Sequence, residues 1–340
     1  MKCLPIDIKN ALLTFKCFDS ARTVIVATFN KYNLDIYTNF AHFEYMVEEE
    51  TGNPDIHYVR DISQIKTDLI IGIKAINSSQ LIDFCREHID AGSYIVLTTN
   101  SSKISNYKYK YKDFLPHQLL ISGYNDEKSV MYCSDFFHFS LGNYLLEEID
   151  YDELIKANED IFQIVRHDIK HLDADAWMKY IEILTPCEYA EDPFSIESLI
   201  VDLKNFLYGD SLDSISVKGR LAGFSVYQQI LDFTDWVIAR KLKSVDIRSY
   251  CFIRDRARVM TFQCTAIAKK YEHVYLNHII DEYQNINKKA ATIVRLCMKH
   301  YINKDNHILL KIRKFVIEIA QRDFINTERY LNILQSLYSE

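Results

Sequence analysis

Glycine and proline are scarce in this chain, at 8 and 5 of 340 residues. Low-complexity chains and long flexible linkers need far more of both, so neither is expected. No glycine-rich phosphate loop occurs anywhere in the sequence, which removes that route to nucleotide binding. Basic residues are not in surplus either: 40 Lys and Arg stand against 47 Asp and Glu, a net charge of −7. Phosphate backbones are bound by basic surfaces, so no nucleic-acid partner is expected. The eight cysteines, Cys3, Cys17, Cys85, Cys133, Cys187, Cys251, Cys264 and Cys297, form no C-x-x-C pair. Zinc sites and small disulfide scaffolds require closer, patterned spacing. Free thiols in a reducing, cytoplasmic setting follow as the expectation. The opening Met-Lys-Cys-Leu-Pro-Ile-Asp carries no apolar run, and the apolar stretch 24–29 is too short to span a bilayer, so no membrane association is expected.

What is present is core material. The hydrophobic fraction is 48%, with 23 Tyr and 19 Phe, and a chain of this length supports two domains or one large one. The texture changes near residue 150. Before it, "SYIVLTTN" (93–100) is β-branched and reads as a strand. "HQLLISGYN" and "KSVMYCSDFF" read as two strands around the turn Asn125-Asp126-Glu127-Lys128. "SSQLIDFCREHIDAG" (78–92) reads as a helix capped by Ser78 or Ser79 and ended by Gly92. Beyond 150 the strand signals fade. Five long segments with three- and four-residue apolar spacing take over, from "EDPFSIESLIVDLKNFLYG" to "HILLKIRKFVIEIAQRDFINTERYLNILQSLY". The expectation is an α+β domain over 1–150 followed by an all-helical domain over 151–340, with the join falling between Tyr151 and Ala190.

The hairpin carries chemistry-bearing residues. His117 lies on its first strand and Asp135 on its second. If the two meet, the pair is an oriented general base that needs a nucleophile. Cys17 offers one. After it, Ala21, Val24, Ile25, Thr28 and Phe29 fall at i, i+3, i+4, i+7 and i+8, one face of a helix that Asn33 could end. Cys17 would then stand at the helix start among free backbone N–H groups, where the helix dipole lowers a thiol pKa. The competing reading is a small buried apolar cysteine. Cys3 precedes Pro5 and alternating Ile6 and Ile8, an extended entry rather than a helix start. Cys133 shares a strand face with Asp135 by alternation and would pack near the site without attacking anything.

These stretches resemble the butirosin biosynthesis protein H family, in particular its N-terminal papain-like domain, found in antibiotic and nonribosomal-peptide gene clusters. The resemblance rests on "LPIDIKNALLTFKCFDSARTVIVATFNKYNLD", on "FAHFEYMVEE" and on the run from "IDAGSYIVLTTN" through the His…Gly-Tyr-Asn…Asp hairpin, and it covers about the first 150 residues. It implies a papain-like fold, with Cys17 as nucleophile, His117 as base and Asp135 as orienting acid. It also implies a cysteine-dependent acyltransferase that takes an acyl or aminoacyl group as a thioester, with no bound cofactor beyond the phosphopantetheine arm of an acyl carrier protein or peptidyl carrier domain. The acceptor would be a small amine or alcohol. With water as acceptor the same triad makes a thioesterase or peptidase, and a chain that kept the fold and lost the chemistry would be a binding protein. The sequence departs from the pattern twice. Asn125 stands where Asp is usual. Where papain-like sites carry an oxyanion-hole glutamine a few residues before the cysteine, this chain has Ala11, next to Asn10.

Three further motifs have two readings each. "NYKYKYKD" (106–113) is an edge strand or loop with a solvated lysine face, or a basic patch that docks an acidic carrier protein. "RHDIKH" places His167 and His171 at i and i+4, without the glutamate of H-E-x-x-H or a third ligand, so no metal is expected. The arginines of "RDRARV" (Arg254, Arg256, Arg258) read as a solvated helix surface, or as a helix end that grips an anion.

Overall fold

In a computed structural model, the protein is described over residues 1–13, 17–28, 43–47, 54–58, 65–71, 80–107, 115–138, 143–167, 180–187, 194–209, 220–242 and 245–339. The side chains of 17–18, 43–47, 54–55, 57–58, 69–71, 138, 143, 164–167, 180 and 220–222 lie outside that description. The fold is α+β, with an antiparallel sheet and a helical C-terminal region. Two compact units are formed, Met1–Lys31 with Gln64–Tyr189, and Tyr32–Ser63 with Ala190–Glu340.

The first unit is built on an antiparallel sheet. Strand β4 (Ile65–Ile71) pairs with β9 (Tyr180–Pro186), which pairs with β5 (Tyr94–Asn100). Next come β6 (Pro116–Asn125), β7 (Val130–His138) and β8 (Asn143–Asp150), while β1 (Lys2–Cys3) pairs with the far end of β6. All seven residues of β5 are buried, as expected for a central strand covered on both faces. Alternation divides the covers. Leu97, Leu119, Ile121 and Cys133 point to a core that includes α2 (Leu81–Asp90) and α3 (Tyr151–His167). The opposite face, with Val96 and Glu182 in register, receives α1 (Cys17–Val26). Arg22 of α1 bonds Glu182 at 3.0 Å, with both side chains almost fully buried. A buried pair of this kind is costly to break, and it ties α1 to the middle of the sheet.

The hairpin forms as the sequence suggests. The Asn125 side-chain oxygen accepts from the backbone N–H of Glu127 and Lys128. This Asx-type turn needs only a side-chain oxygen at position 125, which asparagine supplies. Gly123 has a different reason for its place. A Cβ there would lie 2.5 Å from the Lys2 carbonyl oxygen and 2.7 Å from the Cys3 Cα. A Gly123→Ala variant is therefore expected to push β1 off the sheet and cost about 1–3 kcal/mol. Urea denaturation checks the cost. Hydrogen exchange at the Leu4 amide, which donates to the Ser122 carbonyl at 2.7 Å, checks the cause.

Two expectations about the domains are corrected. The division falls between Tyr189 and Ala190, at the upper end of the expected 151–190 join rather than at residue 150, because α3 and β9 belong to the first unit: Asn158 of α3 donates to the Thr98 carbonyl at 3.1 Å, and β9 inserts between β4 and β5. The C-terminal unit is not all helix. It contains a three-stranded antiparallel sheet in the order β10 (Arg220–Ala222), β2 (Phe43–Val47), β3 (Pro54–Tyr58), two strands of which come from the chain's first sixty residues.

The helices of the second unit follow the apolar periodicity: α4 (Ile196–Tyr208), α5 (Val226–Arg240), α6 (Arg248–Lys270), α7 (Leu276–Asn303) and α8 (Asn306–Ser339). The arginine motif on α6 is a further correction. Arg254 and Arg256 are two residues apart, about 200° around a helix, so they cannot share one solvated face. Arg256 is fully buried. It bonds Asp323 of α8 through Nε at 2.6 Å and lies over the Phe206 ring of α4. Tyr227 of α5 and Tyr283 of α7 donate to the same carboxylate, and Thr327 bonds both Asp323 and Arg256. Arg254 and Arg258 flank the buried Asp255. One carboxylate and one guanidinium thus link α4, α5, α6, α7 and α8.

Candidate active site

His117 is the second residue of β6 and stands opposite Thr99, next to the end of β5. It therefore lies at the margin of the sheet. Asp135 of β7 shares its face, on the same side as Leu119 and Cys133. The His117 Nδ1 and Asp135 Oδ2 are 2.5 Å apart. Asp135 is wholly buried while His117 retains some exposure, so the pair presents one partly accessible imidazole backed by an inaccessible carboxylate. The backbone N–H of Phe136 donates to Asp135 Oδ1 at 2.7 Å. With Nδ1–H committed to the aspartate, the imidazole's lone pair is on Nε2, the arrangement a general base requires.

Tyr107 completes the cluster, and sequence reasoning missed it. Its hydroxyl donates to Asp135 Oδ2, the oxygen that also takes the imidazole. Its ring lies edge-on to His117 at 6.2 Å between centroids and against Phe137 at 5.0 Å. Tyr107 opens the alternating Tyr–Lys run, whose lysines drew the reading toward a surface patch. The available signal was Ile104, three residues earlier and also buried, which marks this end of the run as core. Residues 108–113 lie outside the described residues, and with them both readings of the lysine patch. Asn100 fixes the approach to Tyr107: its side-chain oxygen accepts from the Ser102 and Leu115 backbone N–H groups, and its amide donates to Asp160 at 2.7 Å.

Cys17 is the first residue of α1, as expected; Ala21, Val24 and Ile25 are buried, but so is every residue from Ser20 to Ala27, so the helix is enclosed all round rather than along one face. The Cys17 side chain, Phe29 and Asn33 lie outside the described residues. The body of α1 packs on the sheet face opposite to His117 and Asp135, because Arg22 reaches Glu182, in register with Val96 rather than with Leu97. Other described cysteines are poorly placed or poorly ionised. Cys133 shares the Asp135 face as expected, but burial pushes its thiol well above the usual range, with Cys85 and Asp135 adding to the effect. Burial likewise pushes Cys85 up to about 12. Cys3 pairs with Gly123, six residues along β6 from His117 and about 20 Å away at roughly 3.3 Å per residue. Cys187 follows β9 beyond Pro186, at the same far end of the sheet.

Among the described residues no group of three His, Cys, Asp or Glu could hold a metal ion. The side chain of His167 and the whole of His171 lie outside that set. No helix among the described residues is long and apolar enough to cross a membrane. Comparison with protein-family models and with curated proteins yields no match to this chain.

Proposed function

We propose that the first unit is a papain-like cysteine enzyme that moves an acyl group through a thioester on Cys17. The observation that carries this reading is the buried Asp135 carboxylate bound to His117 Nδ1 at 2.5 Å, which orients a base at the sheet margin. The start of α1 at Cys17 and the resemblance to the butirosin biosynthesis protein H family support it. Because the body of α1 packs on the other face, the thiol must approach His117 around the strand ends, where His117 sits.

In the proposed cycle His117 takes the Cys17 proton. The thiolate attacks the carbonyl of an acyl thioester carried on a phosphopantetheine arm. The tetrahedral oxyanion takes hydrogen bonds from backbone N–H groups at the helix start. The C–S bond to the carrier breaks, and the imidazolium returns its proton to the departing carrier thiolate, leaving Cys17 acylated. An amine or alcohol then attacks the new thioester while His117 removes its proton. Collapse expels the Cys17 thiolate, which is reprotonated. Asp135 keeps the imidazole in one tautomer and stabilises its charged form.

A second reading is favoured by the opposite-face packing of α1: a binding protein in which His117, Asp135 and Tyr107 form a polar core without a nucleophile. One experiment separates them. The protein is mixed with an acyl thioester of pantetheine, and separately with an acyl-loaded carrier protein, then quenched in acid for intact mass and peptide mapping. The expected result is one acyl group on the Cys17 peptide, absent in Cys17→Ala. Release that depends on an added amine identifies a transferase, and release to water alone identifies a hydrolase. No acylation of Cys17 from either donor sinks the enzymatic reading.

A further inference from the structure

We propose that Tyr107 is a positioning residue that sets the basicity of His117 through Asp135. The inference concerns the Asp135–His117 pair itself and rests on the proposed function only where Cys17 is read out. The Asp135 Oδ2 atom takes two donors, the Tyr107 hydroxyl and the His117 Nδ1–H, while Oδ1 takes the Phe136 N–H. Tyr107 is almost fully buried and Asp135 wholly so, so water does not substitute readily for the phenol. Donors that share one oxygen compete for its charge. The phenol draws density from the oxygen that would otherwise stabilise the imidazolium, and the imidazole is left a weaker base. The same bond stops the carboxylate turning about its Cβ–Cγ axis, and the tyrosine ring walls one side of the imidazole. Tyr107 therefore orients the pair and also keeps His117 from holding its proton too tightly to act as a base near neutral pH.

Removing the hydroxyl should strengthen the Asp135–His117 bond. The predicted consequence for Tyr107→Phe is that the His117 titration midpoint rises by about one pH unit, the size of a lost hydrogen bond to a charged partner. The measurement is a pH series of imidazole nitrogen spectra on full-length protein labelled with nitrogen-15 histidine, with His117 assigned by its absence in His117→Gln. Asp135→Asn should move the midpoint the opposite way. Site-specific 3-fluorotyrosine at position 107 keeps the ring and offers a more acidic O–H. It should lower the midpoint, and it keeps the test open if Tyr107→Phe does not fold. A merely structural tyrosine would alter the melting temperature and leave the midpoint unchanged. An unchanged midpoint in a folded Tyr107→Phe protein, or in the fluorotyrosine protein, overturns the inference. The pH profile of Cys17 alkylation is recorded on the same samples. If the imidazole midpoint moves and the Cys17 profile does not follow, the Tyr107 assignment stands and the cysteine-enzyme reading falls.

Discussion

Asp323→Ala is expected to destabilise the helical unit by about 3–5 kcal/mol, the usual loss when one member of a buried ion pair is removed. Arg256 would remain fully buried with its counter-charge gone. Burial by itself disfavours the charged guanidinium; in the native protein Asp323 outweighs that effect and the net direction is upward. The Tyr227 hydroxyl would lose its acceptor at the same time, and the Tyr283 hydroxyl would keep only its bond to Thr327. Both are held well above the ordinary tyrosine range, first by burial and then by Asp323. The effect reaches four helices directly, α5 and α7 through the tyrosines, α6 through Arg256 and α8 through Asp323 itself. Urea denaturation followed by the fluorescence of Trp236, on α5, in a Trp177→Phe background gives the value. The double variant Arg256→Met with Asp323→Leu should recover much of the loss, because buried ion pairs are often replaceable by apolar residues of similar volume. A single variant that loses less than about 1 kcal/mol would mean that solvent relieves the arginine, contrary to its burial.

The parts of this fold that are local in sequence were legible. The His117–Asp135 hairpin needs only period-two strands and one asparagine turn, and both strands and turn fall where the pattern puts them. The helices from α4 to α8 follow from apolar spacing because each buries one stripe against its neighbours. What was not legible is non-local. The run of β9, "YIEILTP", lies in a region read as helical, and it becomes a strand because β4 and β5 flank it. Nothing within seven residues announces those partners. The small sheet that joins β2 and β3 to β10 escaped for the same reason. Arg256 was misread and Tyr107 missed for a similar reason. Each sits in a polar-looking motif, and each is buried because a distant carboxylate, Asp323 or Asp135, bonds it.

The second large effect concerns Cys17. A thiolate held by a neighbouring imidazolium reacts with small electrophiles at neutral pH far faster than an ordinary thiol, since the thiolate is the nucleophile. The background is favourable for seeing it. Cys85 and Cys251 are pushed up to about 12 by burial. Cys133, Cys264 and Cys297 are raised as well, with burial as the first cause. His117→Ala removes the base and is expected to cut the Cys17 rate by about 10²–10⁴-fold, the usual contribution of a positioned general base. The deciding measurement is iodoacetamide labelling at neutral pH, followed by intact mass and peptide mapping, on the native protein and on His117→Ala. Cys17 is expected to be labelled far ahead of the other seven cysteines and to lose that lead without His117. Labelling of Cys17 at the pace of exposed Cys3, unchanged in His117→Ala, would contradict the enzymatic reading and leave the His117–Asp135–Tyr107 cluster as a structural core.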